Sequence, residues 1–268
     1  MSDQTIDLKW HSLRRSRTTA LIPYLTAGYP SQGDSAVALE MLAEEGADFV
    51  EVGIPFSDPL ADGPVIQRSS QVALENGMTV AGVLDIVSLA ELPIPVILFG
   101  YLNPILAYGL PRFLEDAARA GVSGLLLTDL PWGEDLAIER EITAGPLALI
   151  RLVAPTTEPE RITLTARSAQ GFVYLISRLG VTGPQTRFGS AVEETAALIR
   201  RATDLPIAVG FGIAGGEQAR RAAAIGDGVV VGSALVERLG RGLEPARELM
   251  RELRESVDAA EAHPGREG

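Results

Sequence analysis

Short aliphatic and β-branched runs recur along the chain, and each closes on small, polar or acidic residues. They are ALIPYLTAG (20–28), DFVEVGIPF (48–56), IPVILFGYLN (94–103), SGLLLTDLP (123–131), PLALIRLVAP (146–155), GFVYLISRLG (171–180), LPIAVGFG (205–212) and DGVVVGSAL (227–235). The runs are nearly continuous rather than alternating, as expected of parallel strands buried on both faces. Helical stretches separate them. Ser35 to Glu45 carries an apolar stripe of Ala36, Leu39, Met41, Leu42 and Ala43, with Gly46 at its stop. Pro111 to Ala120 begins on a proline and ends before Gly121. Ala191 to Ala202 and Gly216 to Ile225 read the same way, and Leu243 to Ala260 predicts a polar last helix.

Eight predicted strands alternating with helices, one roughly every 30 residues, match a single (β/α)8 barrel domain. The competing fold is an open doubly wound sheet, but no Gly-x-Gly-x-x-Gly fingerprint follows the first strand and no linker interrupts the chain. The expectation is one barrel over residues 1–268, with 1–19 an N-terminal segment of open role and 261–268 a frayed tail.

Composition narrows the chemistry. The chain has 268 residues and a net charge of −12, which disfavours nucleic acid as a partner. Arg14, Arg15 and Arg17 read as a solvated face rather than a binding patch. No apolar run reaches the roughly 18 residues of a membrane span, and no apolar leader follows the basic start, so a cytoplasmic location is expected. There is no cysteine, the single lysine is Lys9, and the two histidines are His11 and His263. No metal site is expected, and a Schiff base would need a lysine that the body of the chain lacks. Acid–base work there falls to Asp, Glu, Tyr or the substrate itself.

In a barrel of this kind, catalytic groups sit where strands end and the following loops begin. Glu51 interrupts the apolar run DFVEVGIPF between Val50 and Val52. A bare buried charge costs several kcal/mol, which favours the barrel mouth for this side chain. An apolar mouth would raise its pKa and suit it to general-acid work; a carboxylate satisfied by structural donors is the alternative. In the loop that follows, Asp58 and Asp62 each have the look of a turn or helix-capping residue. Glycine-rich segments close the last two strands, Gly210-Phe211-Gly212 and Gly232-Ser233-Ala234. Two such loops at consecutive C-terminal strand ends point to an anionic, phosphate-type ligand. The segment SRLGVTGPQTRFG (177–189) is long enough for a lid; Arg178 and Arg187 within it either assist the anion site or face solvent.

PYLTAGYP (23–30), EVGIPFSDPLADGP (51–64), YLNPIL (101–106), TDLP (128–131), YLISRLGVTG (174–183), VGFGI (209–213) and VGSAL (231–235) resemble, in order and spacing, the signatures of the tryptophan synthase alpha chain family. The resemblance implies a (β/α)8 barrel that cleaves indole-3-glycerol phosphate to indole and glyceraldehyde 3-phosphate in tryptophan biosynthesis. By position it implies Glu51 and Asp62 as the catalytic carboxylates and a phosphate site at Gly183, Gly212, Gly232 and Ser233. Tyr174 matches the tyrosine beside the reacting centre, and Thr182 the lid threonine that contacts the aspartate. Tyr24, Ile66, Leu126 and Phe211 would line the indole pocket. Asp58, Pro59 and Asn103 would meet a beta chain in an alpha2beta2 heterotetramer, with pyridoxal phosphate in the beta chain and no cofactor in this one. Leu179 departs from the small or polar residue expected in the lid. Among rivals, the related phosphate-sugar isomerases would place an aspartate near the end of the first strand, where this chain has Tyr24-Leu25-Thr26. A non-catalytic, phosphate-binding regulatory subunit is the rival of another class, and the Glu51/Asp62 pair argues against it.

Overall fold

The computed structural model describes residues 5–176, 185–210 and 212–260, with the backbone alone over 185–189. Eight parallel strands close into a barrel in sequence order, β1 (Ala20–Thr26), β2 (Val50–Gly53), β3 (Val96–Gly100), β4 (Val122–Leu127), β5 (Ala148–Val153), β6 (Val173–Ile176), β7 (Ile207–Gly210) and β8 (Gly228–Val231). The predicted runs each contain one strand, but the strands are shorter than the runs because the polar residues at each end belong to the loops.

The pleat divides the core in two. One side of each strand faces the helices, as in Leu21, Leu25, Val50, Val52, Leu98, Leu125, Val173 and Val209, which join one continuous apolar shell. The other side fills the barrel interior with Ala20, Ile22, Tyr24, Phe49, Ile97, Phe99, Leu126, Ile150, Phe172, Tyr174, Ala208 and Val230. Two-sided burial is why the sequence runs are continuous rather than alternating.

The outer helices in chain order are α1 (Ile6–Ser16), α2 (Gln32–Glu44), α3 (Pro64–Glu75), α4 (Val80–Ala90), α5 (Leu102–Tyr108), α6 (Leu110–Arg119), α7 (Leu136–Thr143), α8 (Pro159–Arg167), α9 (Gln185–Ala202), α10 (Gly216–Ala223), α11 (Ser233–Leu239) and α12 (Leu243–Asp258). Helix α2 begins before the predicted Ser35, because the Ser31 hydroxyl accepts from the Asp34 N–H at 3.2 Å and caps it. Helix α12 is polar overall, as expected, and also amphipathic: Ala246, Leu249, Met250, Leu253 and Val257 form a buried stripe.

The N-terminal segment, left open by the sequence, closes the bottom of the barrel. Ile6, Trp10 and Leu13 recur at helical spacing and are buried in the interior cluster. The Trp10 ring lies 4.7 Å from Phe49 and 5.7 Å from Phe172, centroid to centroid. The sole lysine helps hold this plug. Lys9 Nζ lies 2.9 Å from Asp48 Oδ1, and Asp48 Oδ2 lies 3.0 Å from the Arg254 guanidinium on α12. With its bottom filled by this helix, the barrel is left open to a ligand at the opposite, C-terminal mouth, where the described residues form a cavity.

Candidate active site

At that mouth lies a cavity of about 470 Å³, lined among others by Tyr24, Glu51, Asp62, Ile66, Phe99, Tyr174, Gly212, Gly232 and Ser233. The size suits a ligand of drug-like dimensions. The strand register explains the convergence. Tyr24 is the partner of Glu51 across β1 and β2, and Tyr174 on β6 pairs with Ala208 on β7; all three line the cavity.

Two of the tyrosine positions depend on glycine. A Cβ on Gly53 would lie 2.1 Å from the Tyr24 hydroxyl, and one on Gly210 would lie 2.2 Å from the Tyr174 hydroxyl. No ordinary side chain fits beneath either ring. The two glycines thereby let the phenols lie across neighbouring strands and form the cavity walls.

Glu51 is 1% exposed, and its Oε1 has no hydrogen-bond partner among the described residues. Loss of water raises its pKa from the usual carboxylate range to about 8. At neutral pH it is therefore chiefly a carboxylic acid. A carboxylate satisfied by structural donors would have partners for both oxygens, and Oε1 has none among the described residues.

Asp62 stands in the loop after β2. Its N–H donates to the Pro59 carbonyl at 3.0 Å, the turn anticipated from the sequence. Its side chain nevertheless reaches the cavity and accepts from the Tyr101 hydroxyl at 3.0 Å. Burial raises its pKa and the Tyr101 hydrogen bond lowers it, leaving a value of about 6. Tyr101 follows β3, is 5% exposed, accepts from the Ala61 N–H at 3.0 Å and stacks near Phe56 at 5.2 Å. The sequence reading did not single out Tyr101; its signal was a phenol placed directly after an apolar strand.

Other predicted residues separate by location. Tyr174 is 3% exposed, and burial, then Glu51 and Asp62, push its pKa well up. Ser233 opens α11 beside Gly232, and both line the cavity together with Gly212. Leu126 is fully buried in the interior cluster with Phe99 and Ile150 and is not a lining side chain of the cavity. Phe99, Val65 and Ile213, not named from the sequence, do line it. Asp58 and Asn103 are exposed and Pro59 is half-buried, all outside the cavity. Thr182, Gly183 and Phe211, with Arg178, Leu179 and Arg187, lie outside the described residues or their described side chains. Among the described residues, no group of three or more His, Asp or Glu side chains is arranged to hold a metal ion.

A closed parallel barrel with two carboxyl groups of separated acidity at its C-terminal mouth, facing glycine-rich strand ends, defines an α/β-barrel enzyme of acid–base type. The family model for the tryptophan synthase alpha chain matches residues 10–263. A tryptophan synthase alpha chain from Synechocystis is 47% identical over 92% of this chain and 97% of its own length. One from Desulfatibacillum aliphaticivorans is 44% identical over 94% and 96%. A solved structure of Mycobacterium tuberculosis tryptophan synthase superposes with a TM-score of 0.88 at 37% identity, covering 96% of this chain and 99% of the other. The chain belongs to the tryptophan synthase alpha chain family. It is a lyase of tryptophan biosynthesis, and its reaction is the cleavage of indole-3-glycerol phosphate to indole and glyceraldehyde 3-phosphate.

Proposed function

We propose that Glu51 and Asp62 divide the acid–base work of this cleavage and that the glycine-rich strand ends hold the phosphate. The observation that carries the reading is the separation in acidity, about 8 for Glu51 against about 6 for Asp62, within one cavity. Near neutral pH this leaves one group protonated and the other ionised.

The Glu51 carboxylic acid gives its proton to indole C3. The resulting indolenine cation is stabilised by the Asp62 carboxylate, which accepts a hydrogen bond from the ring N–H. The C–C bond to the glycerol chain breaks, and its electron pair restores the neutral indole. The carbon left behind becomes the aldehyde as its hydroxyl gives a proton to the Glu51 carboxylate, which returns the acid to its starting form. Tyr174 and Tyr24 wall the reacting centre, Ile66 and Phe99 contact the indole, and Gly212, Gly232 and Ser233 meet the phosphate. Thr182, Gly183 and Phe211 complete the lid, phosphate site and pocket by position in the family, and Leu126 supports the pocket beside Phe99.

The chain works as one barrel domain, with a beta chain as partner in an alpha2beta2 assembly that keeps the pyridoxal phosphate on the beta side. Asp58, Pro59 and Asn103 form the contact. Leu60, between Pro59 and the Asp62 turn, is 92% exposed, an apolar side chain that such a contact would cover. The enzyme is placed in the cytoplasm; among the described residues no single helix is long and apolar enough to cross a membrane. The test is release of indole from indole-3-glycerol phosphate by this chain alone and with a beta chain. Slow release that the beta chain accelerates supports the reading. High release that a beta chain leaves unchanged argues for a stand-alone lyase, and no release with either argues for a regulatory subunit.

A further inference from the structure

The segment TDLP (128–131) follows β4, and none of its residues lines the cavity. Its first two residues grip the backbone on both sides of Tyr101. The Thr128 N–H and hydroxyl both donate to the Gly100 carbonyl, at 3.0 and 3.2 Å. Asp129 Oδ1 accepts from the Leu102 N–H at 2.8 Å. The next residue anchors the segment in the protein interior. The Leu130 carbonyl accepts from the Arg151 guanidinium at 3.2 Å, and Arg151 is 3% exposed.

The place of Tyr101 explains why such a grip is needed. Tyr101 is the N-cap residue of α5, extended at φ −123° and ψ 155°, where Ser, Thr, Asp or Asn would ordinarily accept from the first turn. Its side chain makes no capping bond. The phenol turns instead to the loop after β2, where it donates to Asp62 Oδ2 and accepts from the Ala61 N–H, both at 3.0 Å. A helix whose N-cap side chain is turned away leaves its first N–H groups to other partners. Asp129 supplies one of them from a different strand end.

We infer that Asp129 is a positioning residue: by holding the Leu102 N–H from outside α5 it fixes the Tyr101 backbone, and through the rigid ring it keeps the phenol on Asp62. Asp129 is exposed and stands outside the cavity, so its route to the reacting centre is Tyr101. A tyrosine ring turns on few torsions, so a shift of its Cα carries through to the hydroxyl. A hydrogen bond weakens steeply once its angle is lost. Water can replace Asp129 as the acceptor but fixes no position, so the effect of losing Asp129 is partial.

This role rests on the proposed part of the Asp62 carboxylate in the cleavage and deepens it by naming what holds the Asp62 donor in place. The other titratable groups facing Asp62 are Tyr24 from β1 and Tyr174 from β6, both made harder to ionise by its charge. Glu51 from β2 and Glu237 from α11 line the same cavity. None of these four enters the Leu102 contact, so a change in Asp129 leaves them in place.

The experiment compares wild type with Asp129→Ala, Asp129→Asn, Tyr101→Phe and the Tyr101→Phe/Asp129→Ala double variant. Two readouts are used: the pH at which indole release is lost on the acid side, and the titration of the Asp62 carboxyl by carbon-13 NMR, identified by its loss in Asp62→Asn. Alanine cannot accept from Leu102, so the phenol drifts from Asp62, and a carboxylate that loses a donor becomes less acidic. Both readouts should move up by about half a pH unit, roughly a threefold change, and no further than in Tyr101→Phe. Asparagine keeps the accepting oxygen and removes the charge. It should leave both readouts in place or move them slightly down, since loss of a nearby negative charge favours the carboxylate. In the Tyr101→Phe background the alanine change should add no upward shift. An Asp129→Ala titration that stays or moves down, an equal upward shift in Asp129→Asn, or the same upward shift in the Tyr101→Phe background overturns the inference. If Asp129→Ala does not fold, Asp129→Leu, close to aspartate in shape and unable to accept, must move the titration in the same direction. Should Asp62→Asn keep the full rate of cleavage, the catalytic role of Asp62 falls while the NMR titration still decides that of Asp129.

Discussion

Replacing Tyr101 with phenylalanine removes one atom and leaves Asp62 without the hydroxyl that donates to it at 3.0 Å. Asp62 is pulled in opposite directions, upward by burial and downward by this hydrogen bond. A hydrogen bond to a charged group is worth about 1.5–3 kcal/mol, and the lower end applies because Asp62 is partly open to water that can replace the lost donor. That corresponds to a rise of about one pH unit, from about 6 to about 7. The cleavage step needs the carboxylate, so the loss of rate depends on pH. Near pH 6 the ionised fraction falls from about one half to about one tenth, a loss of about fivefold, whereas near pH 7.5 the loss is under about twofold. Single-turnover release of indole across this range measures it. A loss of the same size at every pH would refute the reasoning, because it would mean that Tyr101 acts by shaping the loop through Ala61 and Phe56 and not by stabilising the Asp62 charge.

Four further outcomes follow from the same geometry. The wild-type rate should be bell-shaped in pH, rising as Asp62 ionises near about 6 and falling as Glu51 deprotonates near about 8, and a monotonic profile would contradict the division of labour. Gly210→Ala puts a Cβ within 2.2 Å of the Tyr174 hydroxyl and should cost about 1–3 kcal/mol in urea unfolding together with most of the activity. Gly33→Ala, in the exposed first turn of α2 with nothing within 4 Å, should instead be neutral or gain about 0.5–1 kcal/mol. Glu139→Ala should cost about 3–5 kcal/mol in unfolding experiments, because Arg151, 3% exposed on β5, would keep its charge buried without the Glu139 carboxylate that pairs with it.

The barrel was legible because all eight strands are buried on both faces, which writes each one as an unbroken apolar run. Glu51 stood out for the same reason, as an acid with apolar neighbours on both sides, the one acid within the eight described strands. Asp62 did not, because a turn residue and a catalytic residue carry the same local pattern, and only its side-chain contact with Tyr101 separates them. Helix α1 was hidden by its polar face. Its buried stripe, Ile6, Trp10 and Leu13, is three residues wide in an otherwise charged segment, and its partners Phe49 and Phe172 lie far along the chain. The hydrogen bonds that join the buried Tyr24, Thr26 and Ser69 hydroxyls were illegible for a similar reason: they link β1 to α3 across 43 residues, and each member alone is an ordinary core hydroxyl. Leu126 is the register partner of the cavity-lining Phe99 yet is fully buried beside it, a difference that strand alternation does not reveal.

The central claim is that Glu51 supplies and recovers the proton on which C–C cleavage depends. Single-turnover release of indole by Glu51→Gln, with saturating indole-3-glycerol phosphate and an independent measure of its binding, tests this most directly, with Asp62→Asn alongside. The expected result is that Glu51→Gln binds substrate and releases almost no indole, while Asp62→Asn keeps a small remnant of the rate. Robust turnover by Glu51→Gln would contradict the account.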